Sequence, residues 1–126
     1  MTAATVLDPN AIAELRSLNP GDNDEFLREI AGIFLDDTPQ RIAELDQSLA
    51  AGDAPKFTRA AHSIKGSSSN LGATALRAVA EDIENRARAE GLRDVNDLVA
   101  QLKAEFARTR AAINTLLGRE ALGRMS

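Results

Sequence analysis

The spacing of the large apolar residues limits the fold of this chain more than any other feature. Val95, Leu98, Leu102, Phe106, Ile113 and Leu116 recur at steps of three, four and seven, the period of one face of an α-helix. Leu76, Val79, Ala80 and Ile83 repeat the pattern upstream. Phe26, Ile30, Ile33 and Phe34 do so before Pro39, and Ile42, Leu45 and Leu49 after it. A shorter stripe is made by Ile12, Leu15 and Leu18. No stretch alternates apolar and polar residues as a half-buried strand would. Long amphipathic segments joined by short loops predict an all-α chain, an antiparallel up-down four-helix bundle with a short extra N-terminal helix as a lid.

Turn and cap residues set the boundaries. Asp8 and Pro9 open a first helix over 9–18, which Asn19-Pro20-Gly21 terminates. Asp22 with Glu25 reads as a capping box for a second helix over 22–51, kinked near Pro39 and closed by Gly52. A third helix is expected over 53–71, stopped by Gly72. A fourth spans 74–90, with Thr74 as its cap and Gly91 as its end, and a fifth runs over 94–117 from Asp94. Residues 118–126 read as a frayed tail. The 126 residues form one domain, long enough to bury a core.

The third helix carries the only histidine, in Ala61-His62-Ser63-Ile64-Lys65-Gly66-Ser67-Ser68-Ser69-Asn70-Leu71-Gly72. At about 100° per residue, His62, Lys65, Gly66 and Ser69 share one stripe with Thr58 and Arg59 one turn earlier. Phe57, Ala60, Ile64 and Leu71 fall on the opposite side. The imidazole therefore points away from the core. With no cysteine and no second histidine, a transition-metal site lacks ligands. No Gly-x-Ser-x-Gly elbow accompanies the serines, so a Ser-His-Asp triad is disfavoured. What remains is an exposed imidazole acting as a nucleophile. Lys65, one turn on, supplies a cation that would offset the charge of a transferred phosphoryl group. Gly66 costs about 1 kcal/mol relative to alanine inside a helix, a cost that makes sense either as clearance beside the ring or as close packing of a neighbouring helix. Such a nucleophile needs an outward-facing ring; a ring packed inside, or with its nitrogens held by carboxylates, would contradict the reading. Ala60, Ala61, Ser67 and Ser68 are read as small residues that let helices approach.

Charge points the same way. The chain is acidic, at net −4, which disfavours general nucleic-acid binding. Yet residues 54–80 hold no Asp or Glu, where an even spread of the 19 acids would place about four. They hold Lys56, Arg59, Lys65 and Arg77 instead. Nothing near Met1 resembles a signal peptide and no apolar run approaches about 20 residues; with zero cysteines, a cytoplasmic protein is expected.

His-Ser-Ile-Lys-Gly-Ser-Ser-Ser-Asn-Leu-Gly, from His62 to Gly72, resembles the signature of histidine-containing phosphotransfer (HPt) domains. Those are four-helix bundles that relay phosphoryl groups between aspartates of response-regulator receiver domains. The resemblance implies that His62 is the phosphoacceptor, Lys65 its electrostatic partner and Gly66 the clearance position, with Gly72 closing the helix. It further implies a stoichiometric carrier rather than an enzyme. Such a carrier has no ATP site and binds no cofactor of its own, and the Mg²⁺ is expected in the partner receiver domain. Receiver domains and a hybrid histidine kinase are the implied partners, met by a monomer without membrane or nucleic-acid contacts. Thr58, Arg59, Ser69 and Arg86 are candidate partner-binding residues, with Arg59 at the docking edge and Arg86 reaching toward the phosphate. A histidine-kinase dimerisation domain fits less well, since it carries an acidic residue directly after its histidine and a proline nearby, where this chain has Ser63 and no following proline. The phosphotransfer domain of chemotaxis kinases shares His-Ser-Ile-Lys-Gly, but those kinases continue into domains absent from these residues. A non-catalytic helical adaptor is the alternative from another class.

Overall fold

The computed structural model describes residues 6–18, 21 and 24–118. Five helices lie wholly within the described residues: α1 (Pro9–Ser17), α2 (Glu25–Ala51), α3 (Ala54–Asn70), α4 (Thr74–Glu90) and α5 (Asn96–Leu117). No strand occurs among the described residues. Helix α3 packs against α2 and α4, while α5 packs against α4 and α2, closing a four-helix ring with α1 laid against α2. The expected bundle with its extra N-terminal helix is the observed fold. The Phe34 and Phe106 rings, 5.8 Å apart and tilted by 48°, join α2 to α5 across the closing seam.

The core follows the apolar stripes. Phe57, Ala60, Ala61 and Ile64 of α3 are buried against Leu76, Ala80 and Ile83 of α4 and Leu102, Phe106 and Ile113 of α5. On α2 the inward line is Leu27, Ala31, Phe34, Thr38, Leu45 and Ser48. Ile33, expected on that face, is 59% exposed. It stands about 120° round the helix from the line through Leu27, Ala31 and Phe34, so with Ile30 it flanks the seam between α2 and α3. Val6 and Leu7, upstream of the first helix, are buried as well.

Helix ends fit the expected chemistry in part. Asp8 accepts a hydrogen bond from the Asn10 amide at 3.0 Å, with Pro9 opening α1. Asp53 does the same for the Lys56 amide at 3.1 Å. Helix α2 continues unbroken through Pro39 rather than splitting there. Asp22, read as its cap, lies outside the described residues, as do residues 119–126 of the expected tail. Thr74 and Asp94 do not cap: Thr74 is already the first residue of α4, after Ala73, and Val95 stands at the cap of α5. Asp94 instead takes a left-handed conformation in the preceding turn.

Gly72 shows how α1 is tied to the motif helix. Its φ of +68° is a left-handed conformation that glycine adopts without strain. A Cβ there would lie 2.7 Å from Ala11 Cβ and 2.9 Å from Asp8 Cβ. The Asp8 amide also donates to the Gly72 carbonyl at 2.8 Å. The lid therefore rests on the corner that ends α3.

Candidate functional site

Because α3 buries Phe57, Ala61 and Ile64, the next residues round the helix reach its rim. His62 emerges there with 63% of its side chain exposed. Lys65, three residues on, is mostly covered, and Gly66 is exposed. A Cβ added at Gly66 meets nothing within 4 Å. No neighbouring helix requires the glycine, so close packing does not explain it and open space beside the ring remains.

The centre of the site is a residue that the sequence analysis passed over. Glu84 of α4 is buried, its side chain 1% exposed, at the level of His62. His62 Nδ1 lies 2.8 Å from Glu84 Oε2. Lys65 Nζ stands 2.8 Å from Oε1, an ion pair without the alignment of a full hydrogen bond. Arg88, one turn along α4, brings a terminal guanidinium nitrogen to 2.8 Å from Oε2. Burial alone would raise the Glu84 carboxyl, but the Lys65 ammonium beside it and the contact with His62, together with their charges, outweigh it and hold it below its ordinary value. The group is therefore ionised at neutral pH. An ionised carboxylate only accepts, so Nδ1 must carry the hydrogen and donate it to Oε2. In a neutral ring, that leaves the lone pair on Nε2.

This arrangement corrects one expectation. A carboxylate does hold an imidazole nitrogen, yet it holds only Nδ1, and no described residue pairs with Nε2. Requiring both nitrogens to be free was too strict, because one lone pair suffices for a nucleophile and the second nitrogen serves to orient it. The ring is neither interior nor blocked.

The remaining candidates are placed as follows. Lys65 faces Glu84 rather than standing free beside the ring. Thr58 Oγ1 donates to the Ala54 carbonyl at 2.9 Å and Ser69 Oγ to the Lys65 carbonyl at 3.1 Å, so both hydroxyls are turned onto their own helix. Ser68 is buried and donates to the Ile64 carbonyl at 2.7 Å, a packing position. Arg59 is exposed and lines a groove between α2 and α3. Arg86 does not reach the site: its guanidinium donates to the Asp94 carbonyl at 3.5 Å and lines the α4–α5 side with Asp82 and Asn85. Residues two positions apart on a helix point about 200° apart, and it is Arg88, not Arg86, that lies against Glu84. Glu84 had one signal in the sequence, a carboxylate on the inward line of Ala80, Ile83 and Ala87, facing a helix with no acid of its own.

Among the described residues, no three or more His, Cys, Asp or Glu side chains are grouped to hold a metal ion. No helix there is long and apolar enough to cross a membrane.

Comparisons with known proteins identify the family and the fold. Residues 29–112 match the family model of the Hpt domain. The chain is 28% identical over 99 residues to histidine-containing phosphotransfer protein 4 of Arabidopsis thaliana, covering 77% of this chain and 78% of that one. It is 32% identical over 80 residues, 64% of its length, to multistep phosphorelay regulator 1 of Schizosaccharomyces pombe, of which the match covers only 27%. In structure it resembles histidine-containing phosphotransfer protein B of Pseudomonas aeruginosa, with a TM-score of 0.80, 33% identity and coverage of 92% and 97% of the two chains. The maize protein ZmHP2 shares the fold, with a TM-score of 0.82 at 24% identity over 94% of this chain and 88% of that one. An exposed imidazole with one nitrogen anchored and the other open, on a bundle matched over most of its length, places the chain in the Hpt domain family, the histidine phosphotransfer modules of phosphorelays.

Proposed function

We propose that Nε2 of His62 accepts the phosphoryl group, taken from an aspartyl phosphate of a receiver domain and passed to another. The observation that carries this is the 2.8 Å contact between Nδ1 and buried Glu84, which assigns the lone pair to Nε2. In the step, Nε2 attacks phosphorus and forms the N–P bond. The P–O bond to the partner's aspartate breaks, and the aspartate leaves as a carboxylate. The ring keeps its Nδ1 hydrogen and gains a positive charge, which Glu84 faces directly. No proton has to move, and the reverse reaction uses the same contacts.

Phosphoryl transfer is mostly positioning and charge compensation. Here α3 positions the ring, Glu84 compensates it, and Gly66 leaves room for the partner's site. Lys65 and Arg88 are paired with Glu84, on the Nδ1 side of the ring. Mg²⁺ held by the receiver domain's carboxylates would neutralise the phosphoryl oxygens. The chain acts as a stoichiometric carrier without an ATP site, as a monomer serving a hybrid kinase and response regulators in the cytoplasm.

The test is transfer from radiolabelled receiver domains of the source organism. The wild-type chain should take up acid-labile phosphate, and His62→Gln should fold with the same helicity and take up none. Label that persists in His62→Gln would overturn the assignment. A wild-type chain that is never labelled, yet still binds receiver domains, would favour the adaptor reading.

A further inference from the structure

Glu84 Oε2 serves two partners at once. His62 Nδ1 and a terminal guanidinium nitrogen of Arg88 each lie 2.8 Å from it, so those two nitrogens stand no farther from each other than twice that contact. The other oxygen, Oε1, faces Lys65 Nζ at 2.8 Å. The two cations are not held alike. The Lys65 side chain is mostly covered, at 23% exposed, whereas that of Arg88 is 62% exposed on α4. With the ring neutral, a single carboxylate therefore faces two full positive charges, and the cluster is already positive.

Transfer adds another positive charge. Nε2 forms its bond to phosphorus, the bond from phosphorus to the aspartate oxygen breaks and that oxygen keeps the electron pair, and the ring retains the Nδ1 hydrogen and ends positive. The phosphoryl oxygens lie beyond Nε2, with the ring between them and Oε2. The change nearest to Arg88 is thus the new charge of the ring, and it has the sign of the guanidinium. A like charge at this range disfavours the charged form. Oε2 can turn wholly to the ring only by giving up part of its pairing with Arg88.

Resting on the phosphotransfer reading above, we propose that Arg88 is a positioning residue that acts through Glu84. By sharing Oε2 with the ring, it limits how far the carboxylate stabilises phosphorylated His62, so that the phosphoryl group is passed on as well as received. Without the guanidinium, Oε2 belongs to Nδ1 alone and the phosphorylated chain lies lower in free energy. Arg88 therefore sets an equilibrium. Charges that only steer the encounter speed transfer in both directions and leave the balance between the free species where it is.

The experiment mixes the full chain with a radiolabelled receiver domain and Mg²⁺, dilute enough that little complex is present. It reads the ratio of phosphohistidine to aspartyl phosphate once that ratio is constant, approached from the labelled receiver and from the labelled chain. Arg88→Gln should raise the ratio about fivefold. Arg88→Lys keeps a charge four residues from Glu84 and should stay within about twofold of the wild type. Arg77 makes another i,i+4 pair, with Glu81 at 3.6 Å, on the same face of α4 about three turns earlier. Arg77→Gln should leave the ratio unchanged. An unchanged ratio in Arg88→Gln would overturn the proposal by reducing Arg88 to a surface ion pair. A lower ratio would also overturn it, because Arg88 would then be compensating the phosphoryl oxygens. So would Arg88→Lys behaving like Arg88→Gln, which marks lost packing rather than lost charge, or an equal rise in Arg77→Gln, which marks a diffuse field. Wild-type protein that phosphoramidate cannot label on His62 would instead defeat the phosphotransfer reading, a result distinct from any of these.

Discussion

His62 has two unlike neighbourhoods. Toward α4 it meets a buried carboxylate with every nearby charge paired: Nδ1, Lys65 and Arg88 all lie 2.8 Å from Glu84. Toward α2 it meets an open groove lined by Lys56 and Arg59, which have no ion-pair partner among the described residues. The first is built like a protein interior, where ionised groups persist only when compensated. The second is built like a surface awaiting an opposite charge. The difference is one of compensation: the charges on the α4 side are settled within the chain, and those on the α2 side are open to solvent.

Substitutions can break that division, and the largest effect should come from Glu84. Glu84→Ala leaves Lys65 and the ring without their shared counter-charge and opens a void. Transfer should fall by roughly 10- to 100-fold at saturating receiver, through loss of the Nδ1 anchor, and stability by about 2 kcal/mol. Stopped transfer assays and urea unfolding give the two numbers. A maximal rate that stays at the wild-type value while stability drops would reduce Glu84 to a structural residue. Next in size is the acid response. Since the folded carboxyl lies below its ordinary value of 4.5, its contribution is fully present above that pH and is lost as pH falls below it. Urea unfolding between about pH 3 and 6 should show this acid limb, and Glu84→Gln should flatten it. The smallest effect belongs to Gly66. With nothing near its added Cβ, Gly66→Ala should stabilise the chain by about 0.5–1 kcal/mol while slowing transfer from receiver domains several-fold. Faster or unchanged transfer would remove clearance as the reason for the glycine.

Legibility from sequence follows the same division. The outward direction of His62 and the inward direction of Phe57 and Ile64 were readable, because helical periodicity fixes faces once a core exists. Ile33 was misplaced because α2 carries two adjacent apolar lines, Leu27–Ala31–Phe34 and the flank with Ile30, and spacing alone does not say which meets the bundle axis. Glu84 was missed for a different reason: a charged residue between Ile83 and Ala87 looks like the edge of a solvated face until the opposite helix is known to bring a histidine and a lysine to it. Arg86 was named and Arg88 was not, although the two point about 200° apart and only Arg88 shares the side of α4 that Glu84 occupies. Cap positions erred by a residue, as at Thr74 and Asp94, where turns after Gly72 and Gly91 rather than side-chain caps start the next helix.

The central claim, that Glu84 holds Nδ1 so that Nε2 receives phosphorus, is tested most directly by NMR of the phosphorylated chain labelled with ¹⁵N in its one histidine. Phosphorus should show its one-bond coupling to Nε2, with a proton still on Nδ1. Coupling to Nδ1, or phosphorus on any other residue, would contradict the account.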